Sequence, residues 1–588
     1  MRLRHASFEV LPALSIRKAE LRRSLRLVTA AWALGIIWMT CTGGSWMNSF
    51  QVMLGFSNVD FGLMTALPSM ATLANLAAVV IIERTGLRKY VFIISKSISR
   101  LLWLVVALIL VTLAGTRAGI WLVLVTVLIA SVLDAIGSPA WLTWMGDLIP
   151  RRIRGRFLAR RGQITRTILV PVAIGLSIFV DCMTDGSKPV TPQAQPQLLW
   201  ALAAMFVAAA FFGLADILMF LRIREVRPTT PDQPLPPAVN IAIAPPGRGA
   251  AGAVIYAVRY VAAVIGQLLI DPLKDHAFRR YVLYGAMITF AMTMGGSFYV
   301  RNMREDLHLS HMSINVIYMI LGPLMAIVSA KPWGTLMDRW GRRPTLLLAT
   351  SVAAFGAVPY CFASRFTPNP PYVAEAVNAV GGWGAQAGAA IAAWLGWSVD
   401  WGNWQVLGPG APVGAWLICS TTIFFGFVGW SGVMLGQQGI ILGFADGGGR
   451  NKYVAAHAVF CGMGGVIGAV CGGLLAEGLA NASWYHPLHV GVFEWNNWHA
   501  TFAVSTLARF AALLLLIGMP DPGARRARDM VRTIGSDMLH LLTGGLLIEW
   551  LGFGRGRGGI RRKAEPGGRE KRNPEPGTGN PEEKKRNG

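Results

Sequence analysis

The chain has 588 residues, of which 53% are hydrophobic and only 14% charged, and its formal net charge is +24. An ordinary soluble domain carries about 25% charged residues, so a soluble chain of this length could not cover itself with polar surface. Blocks of about 20 apolar residues, long enough at about 1.5 Å per residue to cross a hydrocarbon core of about 30 Å, recur along the sequence. In chain order they predict twelve membrane helices at 28–47, 60–82, 90–114, 118–145, 163–181, 197–221, 281–301, 312–330, 344–363, 414–443, 452–477 and 498–519.

A net charge this basic would suit nucleic acid, but its placement excludes that partner. Lys and Arg crowd the N-terminus (Arg17, Lys18, Arg22, Arg23, Arg26) and then every second connection, at 84–89, 151–161, 222–227, 331–343, 450–452 and 525–528. The intervening loops hold only Arg117, Lys188, Arg301, Arg304 and Arg365. This is the positive-inside pattern, and it predicts both termini in the cytoplasm, with the bilayer as the surrounding partner. The charged start has no small-residue cleavage site, so the first span is expected to act as an uncleaved signal. Six cysteines sit mostly in apolar segments without ligand spacing, which supports neither a disulfide framework nor a metal centre, and no cofactor is implied.

The two halves repeat each other. Thr40-Cys41-Thr42-Gly43-Gly44-Ser45-Trp46 in the first span matches Met292-Thr293-Met294-Gly295-Gly296-Ser297-Phe298 in the seventh. A basic turn with one acid recurs at nearly equal spacing: Glu83-Arg84-Thr85-Gly86-Leu87-Arg88-Lys89, and Gly334 to Arg343 with Asp338, Arg339, Gly341 and Arg342 between. These turns resemble the signature that the major facilitator superfamily carries between its second and third helices and again between its eighth and ninth. The first copy departs from the pattern, with Val79, Glu83 and Leu87 where Gly, Asp and Arg are usual. The resemblance covers roughly 28–520 and implies an all-α membrane protein of two pseudo-symmetric six-helix halves. It further implies a secondary transporter that moves a small solute by alternating access. A transporter-like receptor or assembly factor without flux is the alternative. No metalloprotease, nucleophile-elbow or ATP-binding motif stands in a credible setting, so neither an enzyme nor an ATP-driven pump is indicated.

The expected organisation is a basic N-terminus (1–27), a first half (28–222), a linker (223–279), a second half (280–520) and a basic tail (521–588). In the linker, the proline run 228–237 reads as extended chain and 250–270 as a surface helix. Residues 366–412 form an insertion rich in Ala, Gly and Trp on the outer side, and the tail after 553 lacks apolar periodicity. A monomer in the plasma membrane (the inner membrane in a bacterium) is expected.

By resemblance, the signature turns latch the cytoplasmic side, with Asp147, Arg154, Arg156, Asp446 and Arg450 as partners for Asp338 and Glu83. Charges inside spans are costly in a bilayer and mark the next candidates. Arg100 lies about 16 Å in from Lys89, and Asp134 about 20 Å in from Asp147 on the next, antiparallel helix. The two are expected to pair, with Lys96 one turn away sharing the carboxylate. A permanent structural pair is one reading and a titrating proton site the other. Arg509 has no obvious partner, though Glu477 is available. In this architecture spans 1, 4, 7 and 10 line the cavity, which makes Trp38, Thr40, Trp46, Asn48, Asp134, Trp141, Thr289, Thr293, Tyr299, Gln437 and Gln438 candidates for solute contact. One buried acid against several buried bases favours an anionic or sugar-like solute over a cation; coupling to a proton stays open.

Overall fold

The computed structural model describes residues 18–85, 87–149, 151–185, 189–223, 225, 259, 263, 266–394, 405–445, 450–484, 486–517 and 519. Residues 1–527 form one compact unit, and the tail from 528 lies outside the described residues. Helices in the first half are α1 (Lys18–Cys41), α2 (Trp46–Leu54), α3 (Asn58–Ala71), α4 (Ala74–Thr85), α5 (Arg88–Leu113), α6 (Arg117–Leu148), α7 (Arg151–Met183) and α8 (Pro196–Met219). The second half holds α9 (His276–Arg301), α10 (His311–Asn315), α11 (Gly322–Trp340), α12 (Arg342–Phe355), α13 (Val373–Trp394), α14 (Val413–Ser420), α15 (Val428–Ala445), α16 (Arg450–Asn481) and α17 (Asn497–Leu516).

Among the described residues, ten helical stretches are long and apolar enough to cross a membrane. The two other expected spans are helical as well: 163–181 falls in α7, whose apolar part is the shorter Thr167–Met183, and 281–301 falls in α9. The chain is thus a mostly helical, multi-pass membrane protein with two similar halves. Within the first half α5 packs on α6 and α8, and α1 on α8; within the second, α9 packs on α16 and α17, and α12 on α15. The halves meet where α3 packs on α16 and α10 on α7.

The first span corrects the expectation of a continuous helix over 28–47. The chain breaks at Thr42–Ser45, where Gly44 takes φ +83° and a Cβ would lie 2.8 Å from both Met319 Cε and Trp46 Cζ2. The matching Gly295-Gly296-Ser297 runs inside the uninterrupted α9, so the repeated residues do not share a conformation. Three further spans are also uneven. The second bends between α3 and α4 at residues 72–73, and wide π-type turns join α10 to α11 (Val316–Leu321) and α14 to α15 (Ile423–Phe427).

The connections are only partly visible. The proline run of the linker and most of 250–270 lie outside the described residues; Gly266–Ile270 is a π turn leading through Asp271–Leu273 to α9, which Asp275 caps at Ala277 and Phe278 N–H. In the insertion, α13 is a 22-residue helix with Trp383 exposed, and residues 395–404 lie outside the described set. A short hairpin, β1 (Leu488–Val490) with β2 (Phe493–Trp495), joins α16 to α17 on the same side as the insertion.

Candidate functional site

Midway along the first half, charged side chains from four helices converge. Lys96 and Arg100 lie one turn apart on α5, on the face that packs against α6. Lys96 Nζ sits 2.6 Å and Arg100 Nη1 3.2 Å from the same Asp134 oxygen, Oδ1. Lys96 also donates to Ser138 Oγ at 3.0 Å, one turn beyond Asp134. The Asp134 side chain keeps 38% of its surface open, whereas its partners keep 10% and 7%, so the carboxylate is the accessible member.

Aromatic rings complete the cluster. The Arg100 guanidinium lies 3.3 Å from the centre of the Trp38 ring on α1. Arg161, on α7, lies between Trp32 at 4.3 Å and Trp141 at 4.9 Å. Such contacts lower the cost of holding a cation away from water. A second carboxylate, Asp216 on α8, is buried at 3% exposure and close enough to feel the charges of Arg100, Arg161 and Lys96. Small residues make the room: a Cβ on Gly35 would meet Asp216 Oδ2 at 2.6 Å, and one on Gly213 would meet Arg100 Cδ at 2.6 Å.

Asp216 corrects the sequence expectation of a single buried acid. It sits near the end of an apolar span, where a carboxylate ordinarily reaches the interface; its burial depends on Gly35, a residue of a distant span. The available signal was one acid in an otherwise uncharged 24-residue helix, three residues after Gly213.

The other cavity candidates divide. Thr40 bonds its own helix at Ile36 O, and Trp46 is fully buried with Nε1 on Cys41 O, so both are packing residues. Thr289 and Thr293 bond back to Gly285 and Thr289 carbonyls, and Thr293 also reaches Gly465 O. Gln437 accepts from Tyr281 through its backbone oxygen, and Gln438 is exposed. Arg509 does not meet Glu477. Its Nη1 donates to Ala353 O at 3.2 Å and its Nη2 to Tyr299 OH at 3.1 Å, while Glu477 accepts from Asn58. Among the described residues no carboxylate lies within ion-pair distance of Arg509.

A network that the sequence did not announce seals the halves at the end away from the signature turns. Asp181, at the end of α7, accepts from the first N–H groups of α10, His311 at 2.8 Å and Met312 at 2.9 Å, which suits a carboxylate at a helix N-terminus. The fully buried His311 ring contacts Ser45 Oγ at 2.8 Å and Ser49 Oγ at 3.1 Å. Asn315 joins Ser45 N–H to Ser177 Oγ. Across the bundle, Asn58 receives Arg301 Nη1 at 2.8 Å and gives to Glu477 at 2.8 Å. Asn48, one of the cavity candidates, donates instead to Glu305 within this seal. Beyond the seal lies a cavity of about 410 Å³, lined in part by Asp181, Arg304, Asp306 and Arg365 and separate from the cluster above. There burial pushes the Asp306 carboxyl up, and burial holds the Arg304 guanidinium down against the opposing pull of Asp181.

At the opposite end, Gly341 alone links α11 to α12, with φ +100°. Arg343 Nε donates to Leu516 O at 3.2 Å, Arg88 lies 3.5 Å from Glu225, and Arg339 and Arg342 are exposed. A Cβ on Gly334 would meet nothing within 4 Å. Gly86 and Asp446, with the side chains of Glu83, Arg84, Asp147, Arg154, Arg156, Asp338 and Arg450, lie outside the described residues.

Among curated proteins no sequence matches this chain. Its fold is similar to that of a mutant nucleoside transporter NupG, at 9% identity over 85% of this chain and 99% of that one, with a TM-score of 0.52. An auto-inhibited peptide transporter of the POT family is similar at 13% identity over 86% and 99%, with a TM-score of 0.50. Residues 54–400 match the Major Facilitator Superfamily. The chain belongs to the Major Facilitator Superfamily and is a secondary transporter of small solutes.

Proposed function

We propose that the solute is anionic or sugar-like and that it docks against the Asp134 cluster of the first half. The observation that carries this reading is the charge balance at one place: Lys96, Arg100 and Arg161 against Asp134 and Asp216, leaving a cationic excess beside three tryptophans. A cationic surplus in low dielectric attracts an anion, and indole faces stack on sugar rings. The half-exposed Asp134 oxygen is the acceptor for a solute hydroxyl, and Arg161 and Lys96 supply the donors.

In this reading both termini are cytoplasmic, as the loop charges support, so the Asp181–His311 seal closes the outer side. Breaking that seal while the turns around Asp338 close on Arg154 and Arg156 would complete the exchange of access. The protein works as a monomer in the plasma membrane.

The test is thermal stabilisation of the purified protein by panels of sugar phosphates, organic acids, neutral sugars and organic cations. Anionic or sugar-like members should stabilise the wild type, and Lys96→Gln and Arg161→Gln should lose that response. Stabilisation by cations alone would sink the proposal. For the pair itself, Asp134→Asn should lower the folded yield by stranding Lys96 and Arg100, and adding Arg100→Gln should restore part of it. If the double variant folds no better than the single, the pair is not structural.

A further inference from the structure

Helix α13 of the insertion has two unlike faces. On one, Val373, Ala374 and Val377 pack against the core, and Asn378 clamps the backbone of Leu407, with Nδ2 2.8 Å from Leu407 O and Oδ1 2.9 Å from Leu407 N. On the other, Val380 is 66% and Trp383 72% exposed, and Tyr372, which turns the chain into the helix at φ +65°, is 76% exposed. Comparable exposure is found on the outward face of α8, at Trp200 (62%) and Phe211 (69%), where a spanning helix meets lipid. No charged residue stands between Glu375 and Asp400. The helix lies between spans that end at Cys361 and begin at Val413, so it starts at the membrane boundary, the layer in which Trp and Tyr concentrate.

The packed face leads to the seal. Val406 and Leu407 are buried, and Val406 O accepts from Ser310 Oγ at 3.2 Å and from Ser313 Oγ. Ser310 caps α10 by accepting from Ser313 N–H, and Trp416 Nε1 donates to Ser313 O at 2.9 Å. The first turn of α10 is thus held from two directions, by Asp181 of the first half and by the backbone of the insertion. These holders matter because the wide turn Val316–Leu321 separates α10 from α11, so the span below does not fix the direction of α10. Residues 408–412 continue from the clamp to line the cavity beside Asp181 and Arg304.

We propose that the exposed face of α13 is seated in the lipid leaflet at the sealed end, and that this anchor, acting through Asn378 and Val406, keeps α10 within reach of Asp181. The occupant is lipid because the face is as apolar and as open as the lipid-facing side of the spans and stands at their boundary. An exposed apolar surface of this kind marks an interaction site. Lipid contact favours the conformer closed at that end, and its loss frees α10 to part from Asp181. The inference needs neither the solute nor its charge, so it stands apart from the reading of the Asp134 cluster.

Spin labels on the full-length protein, in vesicles of phosphatidylethanolamine and phosphatidylglycerol, test both steps. In a Cys182→Ser background, labels at Val380→Cys and Trp383→Cys should collide readily with oxygen and poorly with a water-soluble nickel chelate. A label at Gln193→Cys, in the exposed loop after α7, should show the reverse. Nickel access at 380 and 383 equal to that at 193 would overturn the lipid seating. So would line broadening between labels on neighbouring molecules, which would make a second copy the occupant. A label pair at Gln193→Cys and Val490→Cys, in connections of opposite halves, reports the seal through its pulsed electron-resonance distance. Asn378→Ala removes both bonds to Leu407 and should shift that distance to longer values. Val380→Asp with Trp383→Asp alters only the exposed face and should give the same shift by expelling the helix from lipid. Distances unchanged in both variants would overturn the coupling, and a shift in Asn378→Ala alone would overturn the role of lipid in it.

Discussion

Among the described residues two arginines are buried mid-span, and they are buried differently. Arg100 shares a carboxylate with Lys96, whereas Arg509 rests on a carbonyl and a tyrosine hydroxyl with Nε unpaired. Removing a shared counter-ion leaves charges stranded, while replacing a poorly compensated charge with an apolar side chain of similar volume is often neutral or stabilising. Asp134→Leu should therefore destabilise by about 3–5 kcal/mol, and Arg509→Met should unfold at or above the wild-type temperature. Thermal unfolding in detergent compares the two, and a large loss in Arg509→Met would mean that its bonds to Ala353 and Tyr299 outweigh desolvation. The Asp134 group was legible in sequence because helical rise alone sets depth on two consecutive antiparallel helices. Asp216 was not, because its burial depends on glycines from α1 and α8 coming together, which no local pattern encodes.

At the scale of elements, the apolar runs fell on helices throughout, since run length is a direct measure of membrane thickness, but α1 (Lys18–Cys41) and α7 (Arg151–Met183) begin well before the runs at 28 and 163. Their interiors were less legible. Gly43-Gly44-Ser45 and Gly295-Gly296-Ser297 are the same three residues, yet one breaks a helix and the other continues it. The difference lies in what packs against them: Met319 and Trp46 close on Gly44, whereas a Cβ on Gly296 would meet nothing within 4 Å. Gly44→Ala forces a Cβ into positive φ and should sharply cut the folded yield, while Gly296→Ala should express normally. Fluorescence-detected size-exclusion profiles would tell the two apart. Gly341 poses the same problem in the turn between α11 and α12, and Gly341→Ala should cost about 1–3 kcal/mol there. Asp338→Asn, in the same connection, should lower flux of the solute while leaving its binding intact, as befits a charge that supports a conformation; unchanged transport would reduce the signature to a topology marker.

For the whole molecule, loop charge and fold together predict sidedness. Cys182 is exposed at the sealed end, so an impermeant maleimide added to intact cells should label the wild type and spare Cys182→Ser. In that background Val490→Cys, in the hairpin, should regain label from outside, and Leu87→Cys, in the first signature turn, should react only after permeabilisation. The inverse result would turn the protein over in the membrane. The halves touch through α16, whose glycines serve two different neighbours. Gly464, Gly468 and Gly472 lie against backbone carbonyls of α9 in their own half, while Gly462, Gly465 and Gly473 lie against α3 of the other half. A Cβ on Gly473 would come within 2.9 Å of Asn58 O and 3.2 Å of Val59 Cα, and one on Gly465 within 2.6 Å of Ser69 Oγ. The first set is needed for the half to fold at all. The second is needed only while the halves are closed at that end, so bulk added there acts as a wedge against one conformer and leaves each half intact. Gly473→Val should accordingly tilt the population towards the conformer open at that end, making one added isopropyl group the handle by which the opposite face of the cycle could be captured for structure determination.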